Sequence, residues 1–113
     1  MKTISERDQQ VNWHPYTQIQ TAGPPLAIVK GEGVWLTAVD GSKYLDAISS
    51  WWVNLHGHNH PHLMDAIRKQ TELLDHVIFS GFTHAPAVEL SEALLTILPS
   101  SHEKIFYSDN GST

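Results

Sequence analysis

Apolar and polar positions along the chain change rhythm twice. From Leu26 to Ile48 the apolar residues fall in short runs rich in β-branched and aromatic types, with Val34, Trp35, Leu36, Thr37 and Val39 favouring an extended chain. Asp40-Gly41 is the dipeptide a two-residue hairpin turn prefers, because glycine tolerates positive φ. Lys43 to Ile48 then reads as the return strand, so an antiparallel meander is expected over about residues 26–50. After that the spacing becomes helical. Pro61, with Asn59 or His60 as cap, opens HLMDAIRKQTELLD; Leu63, Ala66, Ile67 and Leu74 share one face, with Arg68, Lys69 and Glu72 elsewhere. Pro86 opens a second helix whose stripe is Leu90, Ala93, Leu94 and Ile97, and Pro99 stops it. Lys104–Ser108 has the look of a strand and Asn110–Thr113 of the turn after it.

The other segments are connectors. Residues 1–13 are polar and are expected to be frayed or locally helical, and HPYTQIQTAGPP is irregular because of its prolines and glycine. A strand followed by Gly-Ser-Thr normally feeds a helix, and a lone strand of this kind is normally buried in a parallel sheet reached through βαβ crossovers. The pattern therefore suggests a segment of a longer α/β protein, the alternative being a small complete α+β domain.

Composition changes this picture only by exclusion. The net charge of -5, with seven scattered Lys and Arg, argues against nucleic acid or an anionic membrane as main partner. No apolar run approaches the ~18 residues of a membrane span. The absence of cysteine removes disulfides and thiolate metal sites, which suits a cytoplasmic protein.

Three stretches carry candidate chemistry. LHGHNHPH places histidines at 56, 58, 60 and 62, on one face if the chain were extended. Gly57 and Asn59-His60-Pro61 instead favour a turn into a helix, in which the four rings diverge, so no metal site is expected. SDNGST, after the last strand, offers a glycine, outward amides and hydroxyls of the kind that hold a phosphate dianion, such as that of pyridoxal phosphate. It lacks the lysine of a P-loop and also suits a plain turn. SSWW puts Trp51 and Trp52 side by side; in an extended chain they point to opposite sides, so at least one should line a cleft or interface. Tyr16, in the irregular Trp13-His14-Pro15-Tyr16 cluster, suits a segment laid across a site. Trp35, inside the hairpin, is expected in the core.

Together HPYT (14–17), DG (40–41), SSWW (49–52), HGHNHP (56–61), THAP (83–86) and SDNGS (108–112) resemble the class III aminotransferases of fold type I, in order and spacing, from about residue 12 onward. The resemblance implies an α/β fold of the pyridoxal-phosphate-dependent transferase type. This chain would be its N-terminal fragment: residues 1–55 an N-terminal segment and small-domain meander, 56–113 the start of the large parallel-sheet domain. It also implies pyridoxal 5'-phosphate held at Gly111 and Ser112, and a substrate wall of Trp51, with Trp52 beside it, and Tyr16. The branch indicated moves an amino group from S-adenosylmethionine to 8-amino-7-oxononanoate in biotin synthesis, as a homodimer. Another amino donor, or a truncated non-catalytic ligand-binding chain, are the alternatives. The coenzyme-anchoring lysine, its acid partner and the carboxylate-binding arginine map beyond residue 113, and none of the five lysines here replaces the first. No catalytic residue is therefore expected in this chain. His58 stands where relatives often carry tyrosine and is expected to be a surface-type change.

Overall fold

The computed structural model describes residues 1–110. It divides into two compact units, Met1–Lys69 and Gln70–Thr113. The first unit begins with α1 (Ile4–Val11), which is started by a capping box: Thr3 Oγ1 accepts from the Glu6 N–H, and Glu6 Oε2 accepts from the Thr3 N–H at 2.6 Å. The expected meander follows as β1 (Ile28–Glu32), β2 (Trp35–Ala38) and β3 (Lys43–Leu45), antiparallel in the order β1-β2-β3. The register slips between Ile28 and Lys30.

The turns differ from expectation in an instructive way. The two-residue hairpin lies at Gly33-Val34, where Gly33 has φ 56 and Glu32 pairs with Trp35. Asp40-Gly41 sits in a longer connection, closed by Gly41 N–H to Ala38 O and by Ala38 N–H to Ser42 O. The Asp40 carboxylate takes the Ser42 N–H at 2.9 Å, and Gly41 carries the positive φ of 87°. The return strand is also shorter than Lys43–Ile48. It ends at Leu45, where Asp46 turns the chain into α2 (Ser49–Trp52), a single helical turn.

Helix α3 (Pro61–Leu73) starts at the predicted proline, and α4 (Ala85–Ile97) follows His84, whose side chain makes no capping hydrogen bond, with proline in its first turn. In the second unit Lys104–Ser108 is not a strand. An extended segment becomes a strand only by pairing, and among the described residues it has no ladder partner. Tyr107 fastens it to α4 instead, its hydroxyl donating to Ala87 O at 2.9 Å and lying 2.9 Å from Ser91 Oγ. Phe79 packs edge-on against both Tyr107 and His84.

Little apolar surface is covered. Among the described residues Ala38, at 2% exposure, is the buried hydrophobic one, and Trp35, expected inside, is 48% exposed because no second layer faces the sheet. The isolated 113-residue chain is therefore expected to bind an apolar fluorescent dye strongly and to aggregate. A sharp cooperative thermal transition without dye binding would contradict this.

Candidate functional site

Four consecutive non-glycine residues in α2 have positive φ: Ser49 (49°), Ser50 (47°), Trp51 (62°) and Trp52 (68°). This turn is wound left-handed, which costs about 1–2 kcal/mol per L-residue from contact between Cβ and the backbone. Trp51 and Trp52 therefore do not alternate across an extended chain as expected. Helical winding turns successive side chains by about a third of a circle rather than half.

Such a turn persists only if its surroundings fix it. Its own bonds run from Trp52 N–H to Ile48 O and from Val53 N–H to Ser49 O, both 3.0 Å. Asp46 ties it from outside. Its Oδ1 accepts the Ser50 N–H at 2.9 Å, its Oδ2 accepts the Ser50 hydroxyl at 2.6 Å, and its own N–H donates to Val34 O at 2.9 Å. His58 completes the set, with Nε2 2.7 Å from Asp46 Oδ2. A carboxylate only accepts, so Nε2 carries the shared proton.

His58 is thus not the surface residue its place in a turn implied. Its side chain is 16% exposed and that of Asp46 is 6%. Its main chain pairs with Gly33 in both directions, at 3.0 and 2.7 Å, and its ring lies so close over Gly31 that a methyl group there would stand 2.9 Å from His58 Cβ. Gly57 (φ 84) and Asn59 (φ 52) make the approach possible, and Asn59 Nδ2 donates to Gly31 O. LHGHNHPH forms the expected turn into α3, but its four rings do not all diverge. His58 goes to Asp46, the His56 and His60 rings pack edge-on at 6.0 Å, and His62 is exposed on α3.

The hydrogen bonds from the Ser50 side chain and main chain, followed by that from His58, hold the Asp46 carboxyl down from 3.8 to about 2. A lowered carboxylate pKa supplies stabilisation that is complete above about pH 4 and is lost as pH falls through about 2. Ser50→Ala is expected to raise this carboxyl toward 3.8, read from its acid titration by carbon NMR. An unchanged midpoint would show that the serine does not hold it.

The second expected wall residue meets the first. Tyr16 also has positive φ (54°), and its ring lies edge-on to Trp51 with centroids 5.4 Å apart. Tyr16 is 93% exposed and Trp51 56%, so the pair presents aromatic surface rather than filling a core. The HPYT segment is fastened around it. His14 Nε2 reaches Asp8 Oδ2 at 2.6 Å, Trp13 Nε1 donates to Thr17 O, and Thr17 Oγ1 donates to Pro15 O. The Asn12 amide and the His14 ring hold the Asp8 carboxyl below its ordinary range. A cleft of about 480 Å³ lies here, lined among others by Asn12, His14, Ile19, Pro25 and Trp51. Gly111 and Ser112, expected to hold a phosphate, lie outside the described residues. By chemistry the donor set fits one: a glycine, hydroxyls on Ser112 and Thr113, and main-chain amides.

Comparison with known proteins assigns the fold and the family. Over the stretch covered, the fold is that of the pyridoxal-phosphate-dependent transaminases of fold type I. The solved adenosylmethionine-8-amino-7-oxononanoate aminotransferase of Methanocaldococcus jannaschii superposes with a TM-score of 0.89 at 37% identity, covering 96% of this chain and 25% of that one. The omega transaminase of Pseudomonas jessenii in complex with PMP superposes with a TM-score of 0.78 at 31% identity, covering 87% and 22%. The sequence pattern described as aminotransferase class-III matches residues 16–113, and the chain belongs to that family. Among its relatives is the adenosylmethionine-8-amino-7-oxononanoate aminotransferase of Synechococcus elongatus, 50% identical over 101 residues, 89% of this chain and 24% of that protein. The Staphylococcus aureus protein of the same name is 41% identical over 111 residues, 96% of this chain and 25% of it. The chain thus spans about a quarter of the length of the curated relatives it matches. No helix among the described residues is long and apolar enough to cross a membrane.

Proposed function

We propose that this chain is the N-terminal part of a pyridoxal-phosphate-dependent aminotransferase about four times as long. In this reading the enzyme transfers an amino group from S-adenosylmethionine to 8-amino-7-oxononanoate, giving 7,8-diaminononanoate for biotin synthesis. The observation that carries the reading is the identity of 50% to a relative named for that reaction, running through both the Tyr16 and Trp51 segments. Residues 1–55 would supply the small-domain meander and residues 56–113 the opening of the coenzyme domain, with His58 tying the second to the first. The enzyme would work in the cytoplasm as a homodimer.

Pyridoxal 5'-phosphate, when bound, supplies the electron sink and the carrier through which the amino group passes. Amides and hydroxyls at Gly111 and Ser112 would hold its phosphate, since a glycine lets the backbone come close and unpaired main-chain N–H groups favour a dianion. Trp51 and Tyr16 would form the substrate wall. Two unlike substrates must use one cleft in turn, and flat aromatic faces accept both the aliphatic chain of the keto acid and the sulfonium group of the donor. The latter gains about 0.5–2 kcal/mol over an aromatic face. The chain would bind and orient, and the reacting lysine would come from the longer polypeptide. Among the lysines present, Lys30 is paired with Glu32 and Lys69 with Asp65 at 2.7 Å, both on exposed surface.

A bacterial strand lacking its own aminotransferase of this step needs biotin to grow. The complete gene containing this chain is expected to restore growth without biotin. Growth only with biotin, despite soluble expression, would overturn the reading.

A further inference from the structure

We propose that Asp46 and His58 are positioning residues for substrate recognition, acting through the left-handed turn that presents Trp51 to Tyr16. This rests on the reading of Trp51 and Tyr16 as substrate wall. It gives a role to two polar residues that the family resemblance leaves without one.

Left to itself, a serine-tryptophan run does not stay at positive φ, so whatever fixes the turn also fixes the tryptophan ring. Asp46 grips the turn at one residue, Ser50, directly before Trp51, through both carboxylate oxygens (2.9 and 2.6 Å). The carboxylate is itself fixed from two independent sides. Its main chain is bound to Val34 at the β1–β2 hairpin, and its Oδ2 is bound to His58 Nε2 at 2.7 Å. His58 in turn is clamped to the same hairpin by two main-chain bonds to Gly33 and by its contact over Gly31. Hairpin, carboxylate, imidazole and turn therefore form one closed polar link. Trp51 is its next residue outward, in edge contact with Tyr16 at 5.4 Å. Loss of one member frees the Ser50–Trp51 peptides to relax toward negative φ, and the ring then leaves the face it shares with Tyr16. The chemistry recognised there is the aliphatic chain of the keto acid, a ligand bound by shape and apolar contact. Contacts to that chain act alike in the ground and transition states, so moving the ring raises KM more than it lowers kcat.

The test uses the full-length enzyme loaded with coenzyme, comparing Asp46→Ala, His58→Leu, His58→Gln and Trp51→Ala, each alone, and Asp46→Ala combined with Trp51→Ala. Asp46→Ala and His58→Leu are expected to raise the KM for 8-amino-7-oxononanoate about tenfold, with kcat and coenzyme content changed less than about twofold. His58→Gln, which keeps a donor near the Nε2 position, is expected to recover most of the loss. In the Trp51→Ala background Asp46→Ala is expected to add nothing, because its effect passes through the ring already removed. If Trp51→Ala itself leaves KM unchanged, the substrate-wall reading fails first. If Trp51→Ala raises KM but Asp46→Ala does not, or if the two effects multiply, the positioning role is wrong. Should Asp46→Ala not accumulate as folded enzyme, Asp46→Asn with and without Trp51→Ala makes the same comparison.

Discussion

Full-length enzyme carrying Gly111→Asp together with Ser112→Asp is expected to purify almost without coenzyme, retaining less than about a hundredth of the normal visible absorbance per subunit. Two carboxylates placed where a phosphate dianion would sit repel it at close range, and the side chain introduced at Gly111 fills space that close approach of the backbone needs. The serine hydroxyl that would donate to the phosphate is lost at the same time. A hundredfold weaker affinity corresponds to about 2.7 kcal/mol, a modest demand for two like-charge contacts. Ser112→Ala should cost far less, since it removes one hydrogen bond and introduces no charge. Undiminished coenzyme in the double variant would mean that the phosphate is held elsewhere.

The second large effect concerns folding. Gly57 has φ 84, and a Cβ there would meet Gly33 O at 3.0 Å, Cα at 3.1 Å and C at 3.2 Å, all main-chain atoms that cannot swing aside. Gly57→Val is expected to destabilise by roughly 2–5 kcal/mol, combining backbone strain with overpacking. The Gly33–His58 pairing would break first. Gly41→Ala, with φ 87 but open space around it, should show the strain alone, and Gly23→Ala, with neither, should be near neutral. Thermal unfolding of the three variants in the full-length enzyme gives the order directly. Equal unfolding temperatures for Gly57→Val and Gly23→Ala would show that the close approach does not exist.

The sequence made the regular elements legible and left the strained ones hidden, for a physical reason. Pro61, Pro86 and Pro99 punctuate helices because a missing N–H and a fixed φ act locally, and α3 and α4 lie where those residues place them. The meander was legible from β-branched runs, but not which glycine pair makes the tight hairpin. Asp40-Gly41 is recruited into a longer turn by the bond from Ser42, whereas Gly33-Val34 carries no strong turn signal. Propensity cannot foresee α2, because no local preference of serine or tryptophan favours positive φ; Asp46 and His58, twelve residues apart, impose it. The surface place expected for His58 from its departure on the turn also failed, since a residue in a Gly-containing turn is exposed only if nothing packs over it. Lys104–Ser108 failed as a strand because pairing depends on partners that a short stretch of sequence does not name. At the site, motif order brought Tyr16 and Trp51 forward as a pair. Their edge contact, and the polar link behind it, needed coordinates.

The most direct measurement is the absorption spectrum of the coenzyme-loaded full-length enzyme during the two half-reactions. On adding S-adenosylmethionine alone the yellow band is expected to be replaced by the colourless amino form, and on adding 8-amino-7-oxononanoate the yellow band should return, with 7,8-diaminononanoate as product. A spectrum unmoved by S-adenosylmethionine but converted by a different amine would contradict the assigned donor. An enzyme that binds no coenzyme at all would contradict the account from its base.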